Sequence, residues 1–115
     1  MKKILLILVA IIGICSSLSA KITYNVKFKS DEIKSYVVNI DLYNDGSCGY
    51  TKGNTEYSGT YECTQDNDIF YKRITMQLYD EYTGQYFYLK GRIYEDYGVP
   101  KSMAIDGLGR FSLRR

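Results

Sequence analysis

Histidine and tryptophan are absent from this chain of 115 residues, and proline occurs once. Each gap excludes something. Without histidine the usual general base and the commonest zinc ligand are missing. No glycine-rich run has the spacing that cradles a phosphate, which removes nucleotide chemistry as a default. No apolar spacing of three and four lasts long enough for an amphipathic helix, and no segment repeats at a fixed period. Clustered charge is also scarce: 15 Lys plus Arg face 13 Asp plus Glu. Neutralising a phosphate backbone takes a basic cluster, so nucleic acid is not an expected partner. Gly109-Arg110 and Arg114-Arg115 make only a small basic end. The length suits a single domain. The expectation is a noncatalytic protein with no cofactor and no metal site.

What is present begins with the first twenty residues. Lys2 and Lys3 precede the apolar run Ile4 to Cys15, and Ser16, Ser17, Leu18, Ser19 and Ala20 follow. A basic start, an apolar middle and a small-residue end form the pattern of a secretory signal peptide, bacterial in outline. The stretch Ile4 to Ala20 falls short of the roughly 20 residues of a spanning helix, so no stable membrane span is expected in the mature chain. Lipoprotein processing at Cys15 is the alternative, although Ile14 stands where a lipobox wants a small residue. Cleavage after Ala20 takes the basic count from 15 to 13, equal to the acidic count. Residues 21–115 then form one formally neutral domain, secreted or periplasmic.

Removing Cys15 leaves Cys48 and Cys63. An even pair in an oxidising compartment is expected to close a disulfide. The spacing excludes a C-x-x-C redox centre, and zinc would lack ligands. A bridge closing a loop of about 15 residues is worth about 3 kcal/mol in the chain-entropy model.

The remainder reads as short strands. Ile22, Tyr24, Val26 and Phe28 alternate with polar residues, and Tyr36, Val38, Ile40 and Leu42 do the same after a break at Ser30 to Lys34. Asn44-Asp45-Gly46 predicts a three-residue hairpin loop with Gly46 in the left-handed region, placing Leu42 opposite Cys48 and Ile40 opposite Tyr50. Centring the next hairpin on a loop at 53–58 places Cys48 opposite Cys63 and Tyr50 opposite Tyr61, which favours the bridge. Ile74, Met76 and Leu78 then pair with the strand carrying Phe87, Leu89, Gly91 and Ile93. Two short runs, Met103 to Ile105 and Phe111 to Leu113, complete about eight strands.

Eight short strands joined by hairpin-length loops predict an all-β antiparallel up-and-down meander, closed or nearly closed into a barrel so that no edge stays exposed. A two-sheet sandwich is the alternative. Through the meander, Ser58-Gly59-Thr60-Tyr61-Glu62 and Gly109-Arg110-Phe111-Ser112-Leu113, the chain resembles small bacterial secreted lipocalin-like and avidin-like β-barrels. The Gly-x-Trp signature of lipocalins is missing, and no tryptophan exists for an avidin-type pocket. The resemblance implies architecture and no ligand residues.

The expected inward set includes Tyr24, Phe28, Tyr36, Tyr50, Tyr61, Phe70, Phe87 and Phe111, bulk enough to fill a short barrel. If a cavity remains, Tyr24, Tyr36, Tyr50 and Tyr61 are the candidate contacts for a small apolar ligand. The opposite face gathers Tyr71, Tyr79, Tyr86, Tyr88 and Tyr94 with Arg92, a composition suited to protein or glycan contacts. Strand propensity explains the same tyrosines without a partner. Asp45, Asp66, Asp68, Glu95 and Asp96 are expected at one rim, where they are the only candidates for holding calcium or for hydrolytic chemistry. They lack the ordered spacing of a calcium loop. The leading expectation is a small exported β module that binds a protein or glycan through its tyrosine face; the alternative is a carrier of a small apolar ligand inside the barrel.

Overall fold

The computed structural model describes residues 22–114. The expected signal peptide at 1–20, with Cys15, lies outside them. Eight antiparallel strands follow one another around a closed barrel: β1 (Val26–Ser30), β2 (Val38–Leu42), β3 (Ser47–Lys52), β4 (Thr55–Gln65), β5 (Tyr71–Asp80), β6 (Gln85–Asp96), β7 (Val99–Ile105) and β8 (Gly109–Leu113). β1 closes the ring on β8, with Phe28 opposite Leu113 and Ser30 opposite Phe111. Every strand therefore has two neighbours and no edge is left to pair with another chain.

Alternation drives the closure. Phe28, Ile40, Leu42, Met76, Leu78 and Phe111 each show 0 % relative exposure inside the barrel. Burying each such side chain stabilises the fold by about 1.5–3 kcal/mol. The outward positions between them are polar, among them Lys27 and Lys29 on β1, Glu62 on β4, Arg73 on β5 and Lys90 on β6. That order is the reverse of a lipid-facing barrel, which turns its apolar residues outward. Among the described residues no helix is long and apolar enough to cross a membrane.

The turns explain the register. Leu42 faces Cys48 and Ile40 faces Tyr50, as the Asn44-Asp45-Gly46 loop predicts, with Gly46 at φ 89°. The next hairpin departs from expectation. Lys52 pairs with Thr55 around the two-residue loop Gly53-Asn54, so Cys48 lies opposite Gly59 and Tyr50 opposite Tyr57. Gly53 takes φ 63° while Asn54 does not turn positive, the combination of a type II′ turn. This tight turn shifts the β3–β4 register by four residues, from Cys63 to Gly59 opposite Cys48. Cys63 faces Ile74 on the other neighbour, and both thiols are buried and free. The expected disulfide is absent because the hairpin turns too early.

Two inward-facing glycines admit a close backbone neighbour. A Cβ on Gly59 would come within 1.8 Å of the Gln77 carbonyl oxygen, and one on Gly91 within 2.0 Å of that of Ala104. Backbones can cross this closely only where no side chain stands between them. Tyr36 and Phe70, expected inside, are instead 44 % and 48 % exposed. Both lie in connecting segments outside β2 and β5, where strand alternation no longer dictates direction.

Candidate functional site

Three regions carry the chemically distinctive side chains. In an up-and-down barrel alternate loops share an end, so Tyr24, the 43–46 loop, the 66–70 loop and the 97–98 turn occupy one end. This end is sealed by polar side chains. The Tyr61 hydroxyl accepts from the Tyr24 backbone N–H at 2.8 Å and donates to the Tyr43 carbonyl at 2.7 Å. The Tyr24 hydroxyl donates to Glu95 Oε2 at 2.6 Å, and Lys72 Nζ meets Glu95 Oε1 at 2.5 Å. Burial first, then the neighbouring Glu95 carboxylate, pushes the Tyr24 phenol well above the usual range. Desolvation also raises Tyr61, partly offset by its hydrogen bond to the Tyr24 backbone. Each member of this network is satisfied, which is what a buried polar cluster needs if it is to stabilise rather than destabilise.

The rim acids do not converge on a common centre. Glu95 is committed to Lys72 and Tyr24, whereas Asp66 turns outward to Arg92 Nε at 2.7 Å and Arg73 Nε at 3.3 Å. The Asn67 backbone N–H, followed by the two guanidinium groups, holds the Asp66 carboxyl below its ordinary value. Asp45 binds the Ser47 backbone and hydroxyl, and Asp68 caps the turn at Phe70 N–H. Among the described residues no three acidic or thiol groups assemble as a metal cage would require.

The outer face of the β5–β6 hairpin holds the six residues singled out for partner binding. Cross-strand pairing brings Tyr71 beside Tyr94 and Tyr79 beside Tyr86, with ring centroids 5.6 and 5.1 Å apart. Arg92 lies over the Tyr71 ring at 4.2 Å, an attraction between the cation and the electron-rich face. Tyr86 and Tyr88 are 61 % and 58 % exposed, whereas Tyr71 and Tyr94 are half-buried. Tyr71, Arg92 and Tyr94 border a shallow cleft of about 360 Å³ that Ser102 and Arg110 close on the far side. All six take the outward phase of the two long strands, with Tyr71, Arg92 and Tyr94 grouped toward one end of the hairpin and Tyr79, Tyr86 and Tyr88 toward the other.

The four tyrosines considered as interior contacts separate into three situations. Tyr24 and Tyr61 belong to the sealed end, and Tyr36 is 44 % exposed in the 31–37 connection. Tyr50 sits inside the opposite mouth, where it stacks on Tyr57 at 5.7 Å and meets the edge of Phe87 at 6.3 Å. Its phenol is raised by desolvation and, to a smaller extent, by the nearby phenols of Tyr36 and Tyr57. The barrel interior between the two ends is filled by Phe28, Ile40, Leu42, Ile74, Met76, Leu78, Ile93, Met103 and Phe111. Sequence reasoning missed Lys72 as the partner of Glu95, since its polar character placed it on no apolar face. Tyr57 was also missed; the Gly53-Asn54 dipeptide is the signal that places it opposite Tyr50. Comparison with family models, curated proteins and solved structures yields no match for this chain.

Proposed function

We propose that the chain is a small exported, noncatalytic β-barrel module that captures a protein or glycan on the outer face of the β5–β6 hairpin. The observation that carries this reading is the pair Tyr86 and Tyr88, standing mostly in solvent on the longest strand of a barrel whose core is already complete. Rings that the core does not need supply apolar area, and their hydroxyls add polar contacts at low entropic cost. Arg92, fixed between Asp66 and the Tyr71 ring, adds a pre-ordered cation further along the same strand. A noncatalytic role agrees with the absence of histidine and with rim carboxylates held in hydrogen bonds and ion pairs.

The test is a double substitution, Tyr86→Ser with Tyr88→Ser, compared with the unaltered protein on a glycan array and against proteins of the source cell envelope. Loss of a retained partner at an unchanged unfolding midpoint is the expected result. Equal retention by both proteins removes the reading.

A further inference from the structure

The 31–37, 53–54, 81–84 and 106–108 connections share the end of the barrel away from the Tyr24 seal. A cleft of about 410 Å³ opens there, floored by Tyr50, Tyr57, Phe87 and Leu89 and rimmed by Lys52 and Asp80. The volume falls within the span of small-molecule sites. Its floor is aromatic in two orientations: Tyr50 and Tyr57 lie nearly parallel at 20°, and Phe87 stands at 85° to Tyr57 with centroids 5.0 Å apart. Such a floor offers both ring faces and ring edges to a flat guest.

A second observation is independent of the cleft's shape. Tyr50 is only 5 % exposed, yet its phenol has no hydrogen-bond partner among the described residues, and what remains accessible of it faces this cleft. The contrast with Tyr24 and Tyr61 is direct, since both of those hydroxyls are bonded. The hydroxyl oxygen keeps its contact with solvent through the cleft, so its proton is available to an acceptor on a guest. The rim carries one cation and one anion, Lys52 and Asp80, so it selects for neither net charge.

We propose that this mouth cleft is a binding site for a flat, uncharged aromatic small molecule that carries a hydrogen-bond acceptor, with Tyr50 as the donor. The guest rests on Tyr57, Phe87 and Leu89 without entering the filled interior. Tyr86 borders this cleft as well as the outward tyrosine face. The donor belongs to the inward phase, however, and the site does not depend on a partner at that outer face.

A matched pair of probes isolates the proposed hydrogen bond: 2-acetylnaphthalene, which has a carbonyl acceptor, and 2-ethylnaphthalene, which has none. Both are titrated into ¹⁵N-labelled protein and into the Tyr50→Phe variant, which keeps the ring and removes only the hydroxyl. The expected result is shift changes centred on the amides of residues 50, 57, 87 and 89, with the preference for the acetyl probe falling about fivefold in Tyr50→Phe. No perturbation at the mouth, or a preference unchanged by Tyr50→Phe, overturns the proposal. Concentration-dependent broadening of the same amides without probe also overturns it, because a second copy of the chain then occupies the cleft.

Discussion

Tyr61 and Tyr50 are both inward-facing tyrosines on neighbouring strands, yet removing their hydroxyls should have very different consequences. Tyr61→Phe deletes an oxygen that accepts from Tyr24 N–H at 2.8 Å and donates to the Tyr43 carbonyl at 2.7 Å. The Tyr24 carbonyl also lies 3.3 Å from that oxygen, but a single phenolic proton serves the shorter contact. Two hydrogen bonds are worth about 1 kcal/mol each, and an orphaned buried group costs a further 1–3 kcal/mol or so. Tyr43 is 38 % exposed and its carbonyl can turn to water, whereas Tyr24 is 8 % exposed and its N–H cannot. The total for Tyr61→Phe is therefore about 2–4 kcal/mol. Tyr50→Phe removes a hydroxyl without a protein partner and should change stability by no more than about 0.5 kcal/mol. Urea unfolding followed by circular dichroism reads both. With a slope near 1 kcal/mol per molar for a domain of this size, the Tyr61→Phe midpoint should fall by about 2 M or more while Tyr50→Phe stays in place. Equal midpoints for the two variants would refute the assignment of Tyr61 as the bond that fastens the N-terminal segment across the barrel end.

Gly91→Ala and Gly59→Ala place a methyl group against the carbonyls of Ala104 and Gln77, and each should lower the melting temperature by more than about 10 °C; Gly49→Ala, whose nearest atom would be 3.9 Å away, should be tolerated. A barrel unaffected by Gly91→Ala would contradict the close backbone approach. Burial pushes both the Cys48 and the Cys63 thiols up to about 12 from 9.0, so the unfolded chain releases these protons first. The resulting stability is complete below about pH 9 and is lost as pH rises toward 12. The Cys48→Ala, Cys63→Ala variant should show a shallower alkaline decline, and an unchanged slope would count against buried thiols. A thiol reagent at pH 8 should leave both cysteines unmodified until urea is added; rapid modification of the native protein would contradict their enclosure in the barrel.

Alternation was enough to read the strands and their common inward face, while the pairing of β1 with β8 decided between a closed barrel and a two-sheet sandwich. Ile40, Leu42, Met76 and Leu78 declare their common face because a strand turns every second side chain the same way, whatever lies across from it. The Asn44-Asp45-Gly46 loop and the β5–β6 hairpin were legible for a related reason, since turn chemistry is local. The tyrosine face follows directly from the phase of those two strands. Where side chains leave the strands, at Tyr36 and Phe70, the period no longer constrains them, and both are exposed rather than buried.

Pairing across strands is a different kind of information. One early turn at Gly53-Asn54 moves Cys48 away from Cys63 and sets Tyr57 on Tyr50, although every residue keeps its inward or outward direction. A register shift of an even number of residues preserves the hydrophobic pattern, so the pattern cannot reveal it. Likewise Lys72, Tyr24 and Glu95 are distant in sequence and meet only when the closing strands bring one end of the barrel together. Amino-acid order by itself determined which face each side chain takes. Closure of the ring decided which of those side chains touch, because contact depends on register and curvature that no single strand encodes.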